Sequence, residues 1–221
     1  MVKARPNKPI LICVYGFPGA GKSFTARNLA NDLGMAHVSA ERLRGELFDR
    51  PEYTAREEAA VVRLMNYMTG AFLEAGVSAV YDINAVRVGQ RRALRALAHR
   101  HQAEYLLLWL QIDQETALAR HQNRDRRTAD DKFAVPHTTE SFSYFIGEMQ
   151  NPESSEEYLV LSGKHGFAIQ KSAIISRLYK LGLISGELVQ ANITKPELVN
   201  LIPAPAEDRV DLSRRNITIN G

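Results

Sequence analysis

Residues 16–23 read GFPGAGKS, and that stretch decides how the rest of the chain is read. Gly16, Gly21, Lys22 and Ser23 fit the spacing G-x-x-x-x-G-K-[ST], in which a glycine-rich turn lays backbone N–H groups against phosphate oxygens. The flanks agree. Residues 10–15 (ILICVY) read as a short buried strand, and residues 24–33 continue as a helix. The helix would point its positive end at the same anion. Lys22 is expected to reach the β- and γ-phosphates of a nucleoside triphosphate, and the Ser23 hydroxyl to help hold Mg²⁺. Gly16, Phe17, Pro18, Gly19, Ala20, Gly21, Lys22, Ser23 and Phe24 form the expected nucleotide-binding segment. An ordinary glycine-rich turn needs neither the lysine nor the hydroxyl.

Composition narrows the class. The 221 residues are 45% hydrophobic and 24% charged, which suits a soluble globular chain with a core of ordinary size. The one cysteine, Cys13, lies inside the first predicted strand, so no disulfide framework or cysteine zinc site is expected, and a cytoplasmic setting fits. Apolar runs fall far short of a membrane span, and no signal peptide is read at the start. The net charge of +3 permits a nucleic-acid partner without requiring one.

Along the chain, strand patterns at 10–15, 35–39, 77–83, 104–112 and 157–162 alternate with helical patterns at 56–75, 89–101, 114–122, 141–149 and 168–181. This alternation predicts an α/β fold: a mostly parallel five-stranded sheet covered on both faces. Asp113 and Thr139 stand where helix caps are useful. Residues 1–9 read as a flexible basic arm, residues 10–190 as the domain, and residues 191–221 as a small C-terminal extension forming an added edge strand or hairpin.

Three further constellations carry chemistry. Glu41 and Arg44, three apart, share one helical face just beyond the second strand. Ligands of open α/β sheets sit beyond the carboxyl ends of the strands. There Glu41 is suited to take a proton from an attacking hydroxyl, and Arg44 to hold an anionic group of the acceptor. A solvated ion pair is the plain alternative. Asp82 closes the third strand, where acids hold Mg²⁺, and Asn84 follows it; both also suit a turn. Arg87, Arg91, Arg92 and Arg95 suggest a basic helix face able to meet a polyanion. Arg120, Arg124, Arg126 and Arg127, within the charged stretch of about 120–136, suggest an arginine lid stabilising a migrating phosphoryl group. His99 and His101 lack partners at metal-ligand spacing. Residues 162–166 (SGKHG) end the fifth strand, near a nucleotide base or as a tight turn.

In this order the pieces resemble the small P-loop kinases related to polynucleotide 5′-hydroxyl kinase, zeta-type toxins and gluconate kinase, over about residues 8–150. The resemblance implies a three-layer P-loop NTPase fold with ATP and Mg²⁺ bound. Glu41 and Arg44 match the family's acid-x-x-Arg element, with Glu where the family has Asp. Asp82-Ile83-Asn84 and Arg91-Arg92 match its Asp-x-Asn segment and paired arginines. Arg120 and Arg124 match its lid, followed by Val135-Pro136. The implied roles are catalysis by Lys22, Glu41 and Arg124, nucleotide binding with Arg120 and Arg124, metal binding by Ser23 and Asp82, and acceptor binding by Arg44, Asn84 and Arg87. The expected reaction is ATP-dependent phosphorylation of an alcohol, favouring a nucleic-acid or nucleotide 5′-hydroxyl over a small metabolite or sugar nucleotide. A slowly hydrolysing nucleotide switch is the reading from another class.

Overall fold

All seven residues of β1 (Ile10–Gly16) are buried. A strand apolar on both faces belongs inside a parallel sheet. The computed structural model, which describes residues 6–124 and 138–185, places it there. The other strands are β2 (Ala36–Ser39), β3 (Ala79–Asn84), β4 (Glu104–Gln111) and β5 (Tyr158–Ser162), in the order β2-β3-β1-β4-β5. Every pairing is parallel. The helices are α1 (Lys22–Leu33), α2 (Ala40–Leu47), α3 (Ala55–Glu74), α4 (Val88–Arg100), α5 (Gln114–Gln122), α6 (Thr139–Gly147) and α7 (Phe167–Lys180).

The alternation of β1 side chains divides the core. Ile12 and Val14 pack with Leu29 of α1 and Ile174 and Leu178 of α7, while Leu11, Cys13 and Tyr15 pack with Val61 and Met65 of α3 and Leu94 of α4. Three layers result, helices on both faces of one sheet, as expected. Thr25 of α1 donates to Gln170 Oε1 of α7 at 2.8 Å, and Gln170 donates to Ser162 O at 2.9 Å, so the buried polar groups of the first face satisfy one another. No described helix is long and apolar enough to cross a membrane. Burial pushes the Cys13 thiol well up, leaving it a core residue.

Local differences from the sequence reading have local causes. The third strand begins at Ala79, after Gly76 takes a left-handed turn beyond α3, and Ser78 O accepts from Ala36 N at 2.8 Å as the first bond of the β2–β3 ladder. Asp113 caps α5 as expected, accepting from Thr116 N at 2.8 Å, but α6 is capped by Thr138, one residue before the expected Thr139. Residues 7–9, expected within a loose arm, are tied: Asn7 N donates to Leu183 O at 2.6 Å and Pro9 O accepts from Glu104 N at 2.8 Å. Residues 125–137, which include most of the expected lid, and the expected extension 191–221 lie outside the described residues.

Arg91 is the main correction to the expected basic face. It is 1% exposed. Its guanidinium makes a two-pronged pair with Glu156 at 2.7 and 2.8 Å, donates to Ala85 O at 3.0 Å and Gln150 O at 2.9 Å, and lies over the Tyr15 ring. It therefore clamps the loop after β3 to the segment before β5. Burial alone would raise the Glu156 pKa, but the Arg91 bonds more than offset this and hold it below the ordinary value. Removing the guanidinium leaves a largely buried carboxylate without its partner. Arg91→Ala is expected to lower stability by about 3–5 kcal/mol in urea denaturation.

Candidate active site

β1 ends on the glycine turn whose spacing opened the reading. Gly19 has φ 86°, and a Cβ there would stand 2.1 Å from Ala117 O of α5, so only glycine lets the loop press against that helix. The following helix, α1, starts at Lys22 with Gly21 as its N-cap and no side-chain cap. By contrast, Ser39, Thr54, Asp113 and Thr138 each accept a first-turn N–H of α2, α3, α5 and α6. Uncapped N–H groups and the positive end of the helix dipole leave a cradle for an anion.

The turn opens into a cavity of about 710 Å³. Pro18, Gly19, Gly21, Lys22, Ser23 and Phe24 line it from the turn and α1. Opposite them stand Glu41 and Arg44 of α2, Asp82 and Asn84 at the end of β3, and Arg120 and Arg124 at and after the end of α5. Three other residues of the nucleotide-binding segment stand outside this lining: Gly16 and Ala20 are buried and Phe17 is half-buried beneath the turn. Arg87 is exposed and pairs with Glu148 at 2.9 Å, outside the lining.

The Lys22 ammonium donates to Gly16 O at 3.0 Å and Phe17 O at 2.9 Å, folded over the turn. Burial, and then the neighbouring Arg124, lower its pKa to about 8; Asp82 and Glu41 pull the other way. One ammonium thus feels the acid of α2, the acid of β3 and the arginine after α5 together. Ser23 Oγ donates to Asp82 Oδ1 at 3.1 Å. A hydroxyl and a carboxylate are hard oxygen donors of the kind Mg²⁺ takes, completing its shell with phosphate oxygens and water. No cluster of three acidic, histidine or cysteine ligands occurs among the described residues, so a cage made by protein alone is not offered.

Asn84 has a second task. Its amide accepts from Gly16 N at 3.3 Å and donates to Gly16 O at 2.8 Å, replacing strand pairing where the β1–β3 register shifts. Arg44 is 4% exposed, pairs with Glu58 of α3 and lies over the ring of Tyr53. Tyr53 has φ 57°, with its N–H held by Glu57 Oε2 at 2.7 Å. The sequence reading missed Glu58 and Gln90, which line the cavity, and His37, which meets Asp82 at 3.0 Å. No motif marks them; only the sheet order brings His37 to Asp82.

The AAA_33 family, described as an AAA domain, matches residues 11–143, more than half of the chain. The chain belongs to this family. Solved structures share the fold of this AAA_33 chain at low sequence identity. A gluconokinase from Sinorhizobium meliloti 1021 has a TM-score of 0.55 at 16% identity, covering 78% of this chain and 93% of that one. Mycobacterium tuberculosis APS kinase CysC, in complex with AMPPNP and APS, has a TM-score of 0.59 at 15% identity, covering 79% and 99%. Chaetomium thermophilum Kti12, in complex with ADP-AlF3, has a TM-score of 0.60 at 18% identity, covering 80% and 100%. No curated protein matches the chain in sequence. The expected P-loop kinase fold is borne out.

The depressed Lys22 pKa gives the site a pH signature. A polyphosphate favours the ammonium, so the bound pKa lies above the free value of about 8. Nucleotide affinity should be flat below about pH 8, then weaken by up to about tenfold per unit above it, with proton uptake on binding in that window. Calorimetry with Mg²⁺ and ADP in buffers of different ionisation enthalpy measures both.

Proposed function

We propose that the chain is an ATP-dependent kinase that phosphorylates a hydroxyl of a small polar acceptor. The observation that carries this reading is that Lys22, Glu41, Asp82 and Arg124 line one cavity at the mouth of an uncapped helix. Glu41 takes the proton of the acceptor hydroxyl, whose oxygen attacks the γ-phosphorus as the bond to the β–γ bridging oxygen breaks. Lys22 and Arg124 stabilise the charge that spreads over the migrating group, and the turn N–H groups hold the β-phosphate in line. Bound Mg²⁺, held by Ser23 and Asp82, supplies further charge neutralisation on the phosphates. AMPPNP in the APS kinase complex and ADP-AlF3 in the Kti12 complex support a nucleotide in this fold.

The size of the acceptor follows from charge. A polynucleotide needs a track of cations beyond the cavity. Arg87 pairs at the surface with Glu148 and Arg91 in the interior with Glu156, so two of the four arginines on that stretch are already matched by carboxylates of this chain. The cavity lining includes Glu41 and the Arg44–Glu58 pair, together with Asn84 and Gln90. Such a lining suits a hydroxyl-rich molecule with at most one anionic group. A nucleotide 5′-hydroxyl remains the second reading, favoured by the Arg44 guanidinium within the cavity.

Glu41→Gln is expected to retain nucleotide binding while transfer falls by about 10²–10⁴-fold. Radiolabelled transfer from ATP to a panel of sugars, polyols, nucleosides and oligonucleotides measures this and separates the acceptors. Labelling of oligonucleotides alone would overturn the small-acceptor reading, and slow hydrolysis unchanged by Glu41→Gln would favour a switch.

A further inference from the structure

Asp82 is 4% exposed, and its two oxygens have different partners. Oδ1 accepts from Ser23 Oγ at 3.1 Å, and Oδ2 meets His37 Nε2 at 3.0 Å. A carboxylate only accepts, so the imidazole hydrogen facing it must be on Nε2. His37 belongs to β2, where it pairs in register with Val80 while Ser39 pairs with Asp82. Its ring therefore reaches one step diagonally along the sheet. On the other side, the β1–β3 register passes from Cys13↔Tyr81 to Val14↔Asn84, so no β1 residue is in register with Asp82. The Asp82 backbone is held on the β2 side alone, and its carboxylate is oriented by the two side chains it meets.

We propose that His37 is a positioning residue for the metal site: by holding Asp82 Oδ2 from β2, it keeps Oδ1 turned to Ser23 and to the metal those two oxygens would share. A carboxylate torsion is soft and nearly two-fold. One hydrogen bond leaves the group free to swing about it, whereas two partners on separate oxygens fix its plane. Packing alone does not explain a histidine here. Its side chain is 11% exposed and Nδ1 is buried without a hydrogen-bond partner among the described residues. An aliphatic side chain would fill the space without that cost. The bond to Asp82 is what the imidazole contributes. Outer partners of this kind commonly change metal affinity by about 10–100-fold.

The inference rests on the nucleotide and metal reading above and not on the acceptor. The test is ADP binding by calorimetry across Mg²⁺ concentrations, using the parent, His37→Leu, His37→Gln and each change combined with Asp82→Asn. His37→Leu should raise the Mg²⁺ needed for half-maximal tightening of ADP by about tenfold or more, and leave metal-free ADP affinity within about twofold. His37→Gln, which restores an N–H donor at similar reach, should recover most of the loss. In the Asp82→Asn background His37→Leu should add nothing. An unchanged Mg²⁺ requirement in a folded His37→Leu protein overturns the proposal. So does an equal loss of metal-free binding, or a loss that adds to that of Asp82→Asn. A parent that binds no ADP with Mg²⁺ overturns the nucleotide reading itself, and this inference with it.

Discussion

The site depends on a break in the ladder between β1 and β3. Through Cys13 the two strands run in register, and then two residues of β3, Asp82 and Ile83, pass without a β1 partner. Pairing resumes at Val14↔Asn84, while β1 stays in register with β4 as far as Gly16. The side-chain amide of Asn84 closes the gap, bonding both the N–H and the carbonyl of Gly16. A buried backbone pair that loses its ladder partner must find another. Asn84 is that partner, and Asp82, two residues before it, stays paired with Ser39 of β2 while its carboxylate meets Ser23.

Anchoring at Gly16 also governs the electrostatics. The Gly16 carbonyl accepts from Lys22 as well as from Asn84, so the ammonium is held back over the turn. Withdrawn from water and facing Arg124, it is poised to lose its proton nearer neutrality than an ordinary lysine. Glu41 and Asp82 limit that loss. A triphosphate entering such a cradle meets N–H groups and cations already aimed, with little to reorganise, which is the arrangement that favours stabilising a migrating phosphoryl group.

The fold was legible because its signals are periodic and local. The apolar run of β1, the glycine turn and the alternation of strands with helices each follow from spacing, and the resulting sheet is parallel throughout. The grouping of Lys22, Ser23, Glu41 and Asp82 was legible for the same reason: each stands at the carboxyl end of a strand or just beyond it. The fate of the arginines was not. Arg87, Arg91 and Arg92 look alike in sequence, but whether a guanidinium meets solvent or a carboxylate depends on partners some sixty residues away. Glu156 and Glu148 carry no mark that pairs them with α4. His37 was hidden too, because a single histidine in a short strand acquires meaning only from the strand beside it.

Those arginine pairings also bear on how the acceptor side is built. Arg91 joins the loop after β3 to residues 150–156, and Arg87 joins the start of α4 to Glu148, while Gln150 N bonds Val86 O at 2.9 Å. The segment following α6 is therefore fastened to the strand end that carries Asp82 and Asn84. Phe145 of α6, which also lines the cavity, is placed by the same fastening. Arg44 is fixed in its turn by Glu58 and the Tyr53 ring, so that side of the cavity presents a guanidinium already committed to neighbours. Toward the proposed acceptor, such a wall would select by shape and by hydrogen-bond pattern, because the Arg44 and Glu58 charges are balanced at close range and desolvated unpaired groups on a wrong acceptor would go unanswered. The nucleotide half differs in this respect. Its helix end is left uncapped and its lysine is folded back on carbonyls that a phosphate can replace. In the proposed reaction the two halves of the cavity would divide the work, one gripping charge and the other reading shape.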